Sequence, residues 1–323
     1  MTTIDAIVLA GGKEGSIPVM GGNKAFLPVK DRPIIEHVIG ALDRTGNVSS
    51  ITVVGPRQEL ADKLSNWKTE KPLKFLEQGK NVFENMWQGA LSTFAGYRPG
   101  ISADELRSSP EADKAVAALT CDMPLVEPLE IDRFIATAPL DRADLVFGVT
   151  REDMLKPYEP AGGDPGIKFI YVCMRDIIFR HANIFLFRPL KLARVMDKYV
   201  PIVYNLRYQR RLKNIMAATG TAFRFACGRR KLYLFFLIQS ASWCHNHGHL
   251  RLRQLLRRPT ELRWSEDIAS TIFQTRVAIH ETIGPGLTLD VDDDDSYRAF
   301  LQMFDRWKQL QKSQLLSARQ AGT

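Results

Sequence analysis

Within the first 120 residues, four short apolar runs are each closed by a polar or glycine-rich stretch and followed by a helix-like pattern, which restricts the chain to one fold class. The runs are Ala6–Ala10, Ile51–Val54, Leu73–Leu76 and Ala115–Leu119, and helical patterns follow over about Pro33–Leu42, Glu59–Trp67, Val82–Phe94 and Ile131–Ala136. Strands of this length that are apolar throughout are buried on both faces, and the intervening helices supply the cover. The expected class is α/β, with a mostly parallel sheet flanked by helices. A fifth run, Leu145–Val149, ends this rhythm. The Pro/Gly-rich loop Lys156–Gly166 follows, then strands expected at Lys168–Val172 and Ile184–Phe187. Helices are expected at Leu206–Ala217 and Lys231–Trp243. Strands at Arg276–His280 and Leu287–Val291 and a helix over Asp294–Gln311 complete the chain.

Charge divides the chain further. Of its 323 residues, 44 are Lys or Arg and 36 are Asp or Glu, a net charge of +8. Between Asn205 and Trp264 there are 13 basic residues and one acid, Glu261, so this segment alone carries +12 and the remainder −4. We therefore expect a core built from 1–204 and 265–323, interrupted by a basic helical insertion over 205–264. Three readings of the insertion follow: solvated helices with arginines outward, a patch that lies on an anionic membrane surface, or a binder of a large anionic acceptor or nucleic acid. Its modest aromatic content and lack of an RNA-binding signature make nucleic acid an unlikely partner.

Four widely spaced cysteines without a CxxC pair, and an apolar run that starts by Ile7 with Asp5 ahead of it, suggest a cytoplasmic protein without a secretory leader. The stretch Leu232–Leu250 is strongly apolar only to Ile238, too short to span a bilayer. Peripheral contact with the inner membrane face is compatible with this pattern. Cys244–His249 contains metal-ligand residue types, but on a helix only His245 and His249 would share a face. A solvated, partly interfacial helix end is the simpler expectation.

The chemistry is concentrated in three places. Ile7–Lys13 (IVLAGGK) runs a strand into a diglycine, where backbone N–H groups of Ala10, Gly11 and Gly12 can approach a polyphosphate without a Cβ in the way. Lys13 and Lys24 offer compact positive charge for the same phosphates. The loop is neither a GK[ST] phosphate loop nor a GxGxxG dinucleotide fingerprint. Asp122, in Leu119–Pro124 (LTCDMP), stands at the end of the fourth strand, where a carboxylate faces the ligand crevice; a helix N-cap is the alternative role. Asp290 and Asp292 would lie on one face of the last expected strand, while Asp293–Asp295 are placed to start a helix.

Together, LAGG…K…LP…RPII, CDMP and LDVDDDDSY resemble the signature of the sugar-phosphate and molybdenum-cofactor guanylyltransferase-like nucleotidyltransferases, the MobA-like NTP transferases. The resemblance implies a Rossmann-like core of the GT-A type. It also implies transfer of NMP from an NTP to an acceptor, usually phosphorylated, with release of pyrophosphate. It assigns Mg²⁺ to Asp122, with Asp292 or Asp290, and the triphosphate to Ala10–Gly12 and Lys24. Gln78 and Asn85 occupy the stretch that meets base and ribose in relatives, and Asn183 begins the acceptor-side strand. One departure stands out: relatives carry an Arg between the glycines and the lysine, whereas Gly15–Asn23 holds no basic residue, leaving Lys13 or Arg32 to replace it. A metal-dependent glycosyltransferase using a nucleotide-sugar, and a non-catalytic membrane-associated relative, are the alternatives.

Overall fold

The computed structural model describes residues 3–12, 18–107, 110–192 and 229–320. Its centre is an eight-stranded sheet. Along the chain the strands are β1 (Ile4–Leu9), β4 (Val48–Gly55), β5 (Leu73–Glu77), β6 (Val116–Thr120), β7 (Leu145–Arg151), β8 (Val172–Cys173), β9 (Ile178–Phe187) and β10 (Val277–Glu281). A separate hairpin pairs β2 (Pro28–Val29) with β3 (Arg32–Pro33) through Lys30 and Asp31, both at positive φ. The spatial order is β10–β7–β9–β6–β1–β4–β5, with β8 on β9. The β1–β4, β1–β6, β4–β5 and β7–β10 pairs are parallel. β9 runs antiparallel to β6, β7 and β8, so the sheet is mixed, parallel elsewhere.

Alternation along β1 accounts for the two-sided cover. Ala6 and Val8 join Ile35, Ile39 and Phe134 on one face, beneath helices Ile34–Asp43 and Pro128–Thr137. Ile7 and Leu9 join Ala90 and Val54 on the other, beneath helix Val82–Leu91. This is why the run is apolar at every position.

Three expectations are corrected. Lys168–Val172 is not a strand; only Val172–Cys173 pairs, along the first residues of β9. Leu287–Val291 is not a strand either. Its backbone is satisfied one bond at a time: Asn183 N–H donates to Leu287 O (2.7 Å), Leu289 N–H to Pro285 O (3.0 Å) and Val291 N–H to Asp122 O (3.0 Å). The last helix runs from Asp294 to Gln320, well past Gln311, because Leu315 is still buried. The expected helix Leu206–Ala217 lies outside the described residues, whereas Lys231–Trp243 falls within helix Arg229–Asn246. The expected boundary at 264/265 falls inside helix Leu262–Phe273.

Candidate active site

β1 and β6 are adjacent and parallel, so Ala10–Gly12 and Asp122 emerge side by side at their C-terminal ends. Lys24 is brought there by a single 3₁₀ turn, Lys24–Phe26, whose start is fixed by Asn23: its Oδ1 accepts the Ala25 N–H (3.0 Å), and its Nδ2 reaches Ala10 O (3.4 Å). The Lys24 ammonium then pairs with Asp122 Oδ2, lies 3.8 Å from Asp292 Oδ1 and donates to Val291 O at 3.1 Å. Asp122 is buried and also accepts the Thr120 hydroxyl. It is not an N-cap, since the next helix begins at Pro128 behind a Glu127–Glu130 capping box.

Asp290 and Asp292 arrive on the 282–293 segment. Thr150 Oγ1 bonds the hydroxyls of Thr282 (2.7 Å) and Thr288 (2.5 Å), while Gly286 N–H donates to Glu130 Oε1 (2.7 Å). Ser296 Oγ accepts the N–H groups of Asp292 and Asp293, both at 3.0 Å, and Asp293 caps the last helix through Ser296 N–H (2.8 Å). The result brings one oxygen each of Asp122, Asp290 and Asp292 within 4.8 Å of one another. This is the one group of three or more potential metal-binding side chains among the described residues. The Cys244–His249 residues do not converge. His245 faces Glu152 (3.2 Å) and Arg253, and His247 and His249 stack on Trp243.

Arg180, which the sequence reading missed, completes the cluster. Its guanidinium donates to Asp290 Oδ1 (3.0 Å) and Asp292 Oδ2 (2.9 Å), and Asn183 Nδ2 donates to Asp290 Oδ2 (2.8 Å). Residues three apart on a regular strand point to opposite faces. Here the register between β7 and β9 slips beside Gly148, and the bulge turns both side chains to Asp290. A Cβ on Gly148 would lie 2.7 Å from Ile184 Cγ2, so only glycine leaves room for it.

The electrostatics are tight. Burial disfavours the Lys24 charge, but Asp122 and Asp292 outweigh it and hold the ammonium above the ordinary lysine range. Burial pushes the Asp290 carboxyl up to about 6, against the opposing pull of Arg180. Three carboxylates facing two cations leave room for a further positive charge, and hard carboxylate oxygens are the donors Mg²⁺ takes.

The diglycine is braced from below. Gln78 Oε1 accepts the Gly12 N–H (2.8 Å), and Asn85, which is buried, accepts the Gly79 N–H (2.6 Å). A Cβ on Gly11 would come within 2.6 Å of Asn85 Nδ2. Gln78 thus engages the diglycine backbone itself, whereas Asn85 engages the backbone at Gly79. Lys13 lies outside the described residues. Arg32 lines a separate cavity of about 350 Å³ with Trp67, Phe304 and Lys308, which shares no lining residue with the acidic cluster.

Residues 6–224 match the family of MobA-like NTP transferase domains. Among solved structures, the chain is similar to a hypothetical transferase from Thermus thermophilus, with 22% identity and a TM-score of 0.58 over 91% of this chain and 100% of that one. At that identity the likeness is one of fold. It is also similar to 4-diphosphocytidyl-2C-methyl-D-erythritol synthase from Anaerococcus prevotii, at 11% identity over 94% of this chain and 97% of that one, TM-score 0.47. A CMP:2-keto-3-deoxy-manno-octonic acid synthetase complexed with CTP matches at 11% identity over 94% and 99%, TM-score 0.47. No curated protein sequence matches the chain.

Proposed function

Because the chain belongs to the MobA-like NTP transferase domain family and is thereby a nucleotidyltransferase, we propose that it transfers the NMP of an NTP to a phosphorylated small-molecule acceptor. The observation that carries this reading is the convergence of Asp122, Asp290 and Asp292 with Lys24 beside the Ala10–Gly12 loop. An acceptor phosphate oxygen attacks the α-phosphorus, the α–β bridging bond breaks, and pyrophosphate leaves with its electron pair. A phosphate nucleophile is already anionic at neutral pH, so no general base is required. Catalysis is then positioning and charge neutralisation.

Each residue has a part in that positioning. Backbone N–H groups of Ala10–Gly12 cradle the triphosphate, with Gln78 yielding the Gly12 N–H it holds. Lys24 exchanges Asp122 for a phosphate oxygen. Asn85 holds the Gly79 N–H, and Gln78, bonded to the loop itself, is the amide offered to the nucleotide. Arg180 and Asn183 orient Asp290 on the acceptor side. Asp122 and Asp292, with Asp290 beside them, would hold Mg²⁺, which when bound neutralises phosphate charge.

The test is nucleotide-dependent thermal stabilisation with Mg²⁺ and each NTP in turn. At least one NTP should raise the Tm in a Mg²⁺-dependent way, and Asp122→Asn should lose the shift while still unfolding cooperatively. No shift with any NTP, or an unchanged shift in Asp122→Asn, overturns the reading. The NTP that gives the largest shift identifies the nucleobase.

A further inference from the structure

Helices Arg229–Asn246 and Leu250–Arg257 present an outer face that the sheet does not use. Leu234, Ile238 and Ala241 turn inward, the first two packing with Phe179 and Ile268. The opposite stripe is open to solvent: Tyr233 is 60% exposed, Phe236 47% and Trp243 54%. The next helix buries none of its residues, although it carries four leucines. Leu250, Leu252 and Leu255 are exposed, and the first two frame a cleft of about 410 Å³ with Trp243 and Arg251. Soluble proteins rarely leave so continuous an apolar strip uncovered without a partner.

The charge around the strip selects that partner. From Arg229 to Thr260 there are seven Lys or Arg and no Asp or Glu. Arg251 and Arg258 are exposed, interleaved with or flanking the leucines. An apolar face with Trp, Tyr and Phe, edged by arginines and free of acids, matches an in-plane helix seated at the headgroup level of an anionic bilayer. No helix among the described residues is long and apolar enough to cross a membrane, which fits seating rather than spanning. We propose that this helical pair docks the protein onto an anionic phospholipid surface. The proposal stands apart from the nucleotidyltransferase reading, since it uses none of the site residues.

The docking face has a physical link to the site. Asn246 Nδ2 donates to Tyr171 O, and the Tyr171 N–H donates to Asn246 Oδ1, both at 2.8 Å. Tyr171 packs on Phe169 (6.0 Å between rings), and Phe169 lies under the Arg180 guanidinium at 5.1 Å. A continuous chain of contacts thus runs from the helical pair to the Arg180 guanidinium.

Vesicle flotation of the full chain tests this, using phosphatidylcholine vesicles with and without 30% phosphatidylglycerol. Wild type should float at least fivefold more with the anionic vesicles, and 0.5 M salt should reduce this. Trp243→Ser/Leu252→Ser/Leu255→Ser should return to background, and Arg251→Glu/Arg258→Glu should lose the anionic preference. All five side chains are exposed, so an unchanged Tm in both variants verifies the fold. Equal wild-type flotation on both vesicle types, or flotation unaffected by the variants, overturns the proposal. A wild type that ignores vesicles but elutes as a dimer, and a triple serine variant that elutes as a monomer, would overturn it in favour of a second copy of the chain as the occupant.

Discussion

Lys24 holds its charge between carboxylates rather than in solvent, and Asp122 in turn has little beyond Lys24 and the Thr120 hydroxyl to compensate its burial. Removing one partner of a buried ion pair leaves the other uncompensated, at a cost of about 3–5 kcal/mol. Lys24→Met keeps most of the side chain's length and should lose that much in urea denaturation at pH 7. Adding Asp122→Asn should restore part of it, giving a positive coupling in the double-mutant cycle. A single-variant loss below about 1 kcal/mol would mean that the pair is open to water in solution. Lys24, Asp122 and Asp292 were legible in the sequence because each sits in a contiguous motif whose spacing survives folding. Arg180 was not. Alternation along FRHANIF separates it from Asn183, and only the bulge opposite Gly148 reunites them; a bulge leaves no periodic trace in the side chains.

At the scale of elements, the segment that carries Asp290 and Asp292 shows how a run can look like a strand and not be one. Leu287, Leu289 and Val291 alternate with polar residues, as a half-buried strand would, but all five positions from 287 to 291 are buried in a hydrogen-bonded loop. Beyond its local bonds to Pro285, that loop is tied down by Thr150, Asn183, Glu130 and Asp122, none of them near it in the chain, so no window of sequence contains the whole of the information. Glu130 is the joint. Its carboxyl group accepts N–H groups of Glu127 (3.0 Å) and Gly286 (2.7 Å) and the Gln311 amide (2.9 Å), tying helix Pro128–Thr137 to the loop and to the last helix. Burial, only partly offset by those donors, pushes its carboxyl up to about 8 from an ordinary 4.5. The folded state thus keeps a proton that the unfolded chain has already lost. The stability this contributes is full below about pH 4.5 and declines as pH rises through 8. Measured against Glu130→Gln, which does not titrate, wild-type unfolding free energy should fall between pH 5 and 8 by at most about 1.4 kcal/mol per pH unit and level off above. A difference that stays flat from pH 5 to 9 would show an ordinary, ionised glutamate.

Across the whole molecule, the first and last parts of the chain share one core. Val19, Val29 and Ile34 pack in the same cluster as Leu289, Val291, Phe300 and Trp307. Tyr297 OH donates to Pro28 O at 2.8 Å, and Met20 N–H to Asp294 Oδ1 at 2.7 Å. The segment that carries Asp290 and Asp292 and the turns that carry Lys24 therefore share one core with the last helix. Trp307 is the centre of that contact. It is 2% exposed, with its ring 5.1 Å from Phe300 and 5.7 Å from Tyr158 in edge-on geometry. Trp307→Ala leaves a large cavity and should cost about 3–5 kcal/mol, a substantial part of a domain's stability. Because Leu289 and Val291 lie in the same cluster, the NTP-dependent rise in Tm should shrink with it, although Trp307 touches no carboxylate of the cluster. Leu316→Ala, on the same helix but 52% exposed, should stay within about 0.5 kcal/mol and keep the full shift. If Trp307→Ala matched wild type on both readouts, the last helix would be packed elsewhere and the link between chain end and site would fall. If it lost stability yet kept the whole nucleotide shift, the 282–293 loop would be held by Thr150, Asn183 and Glu130 alone.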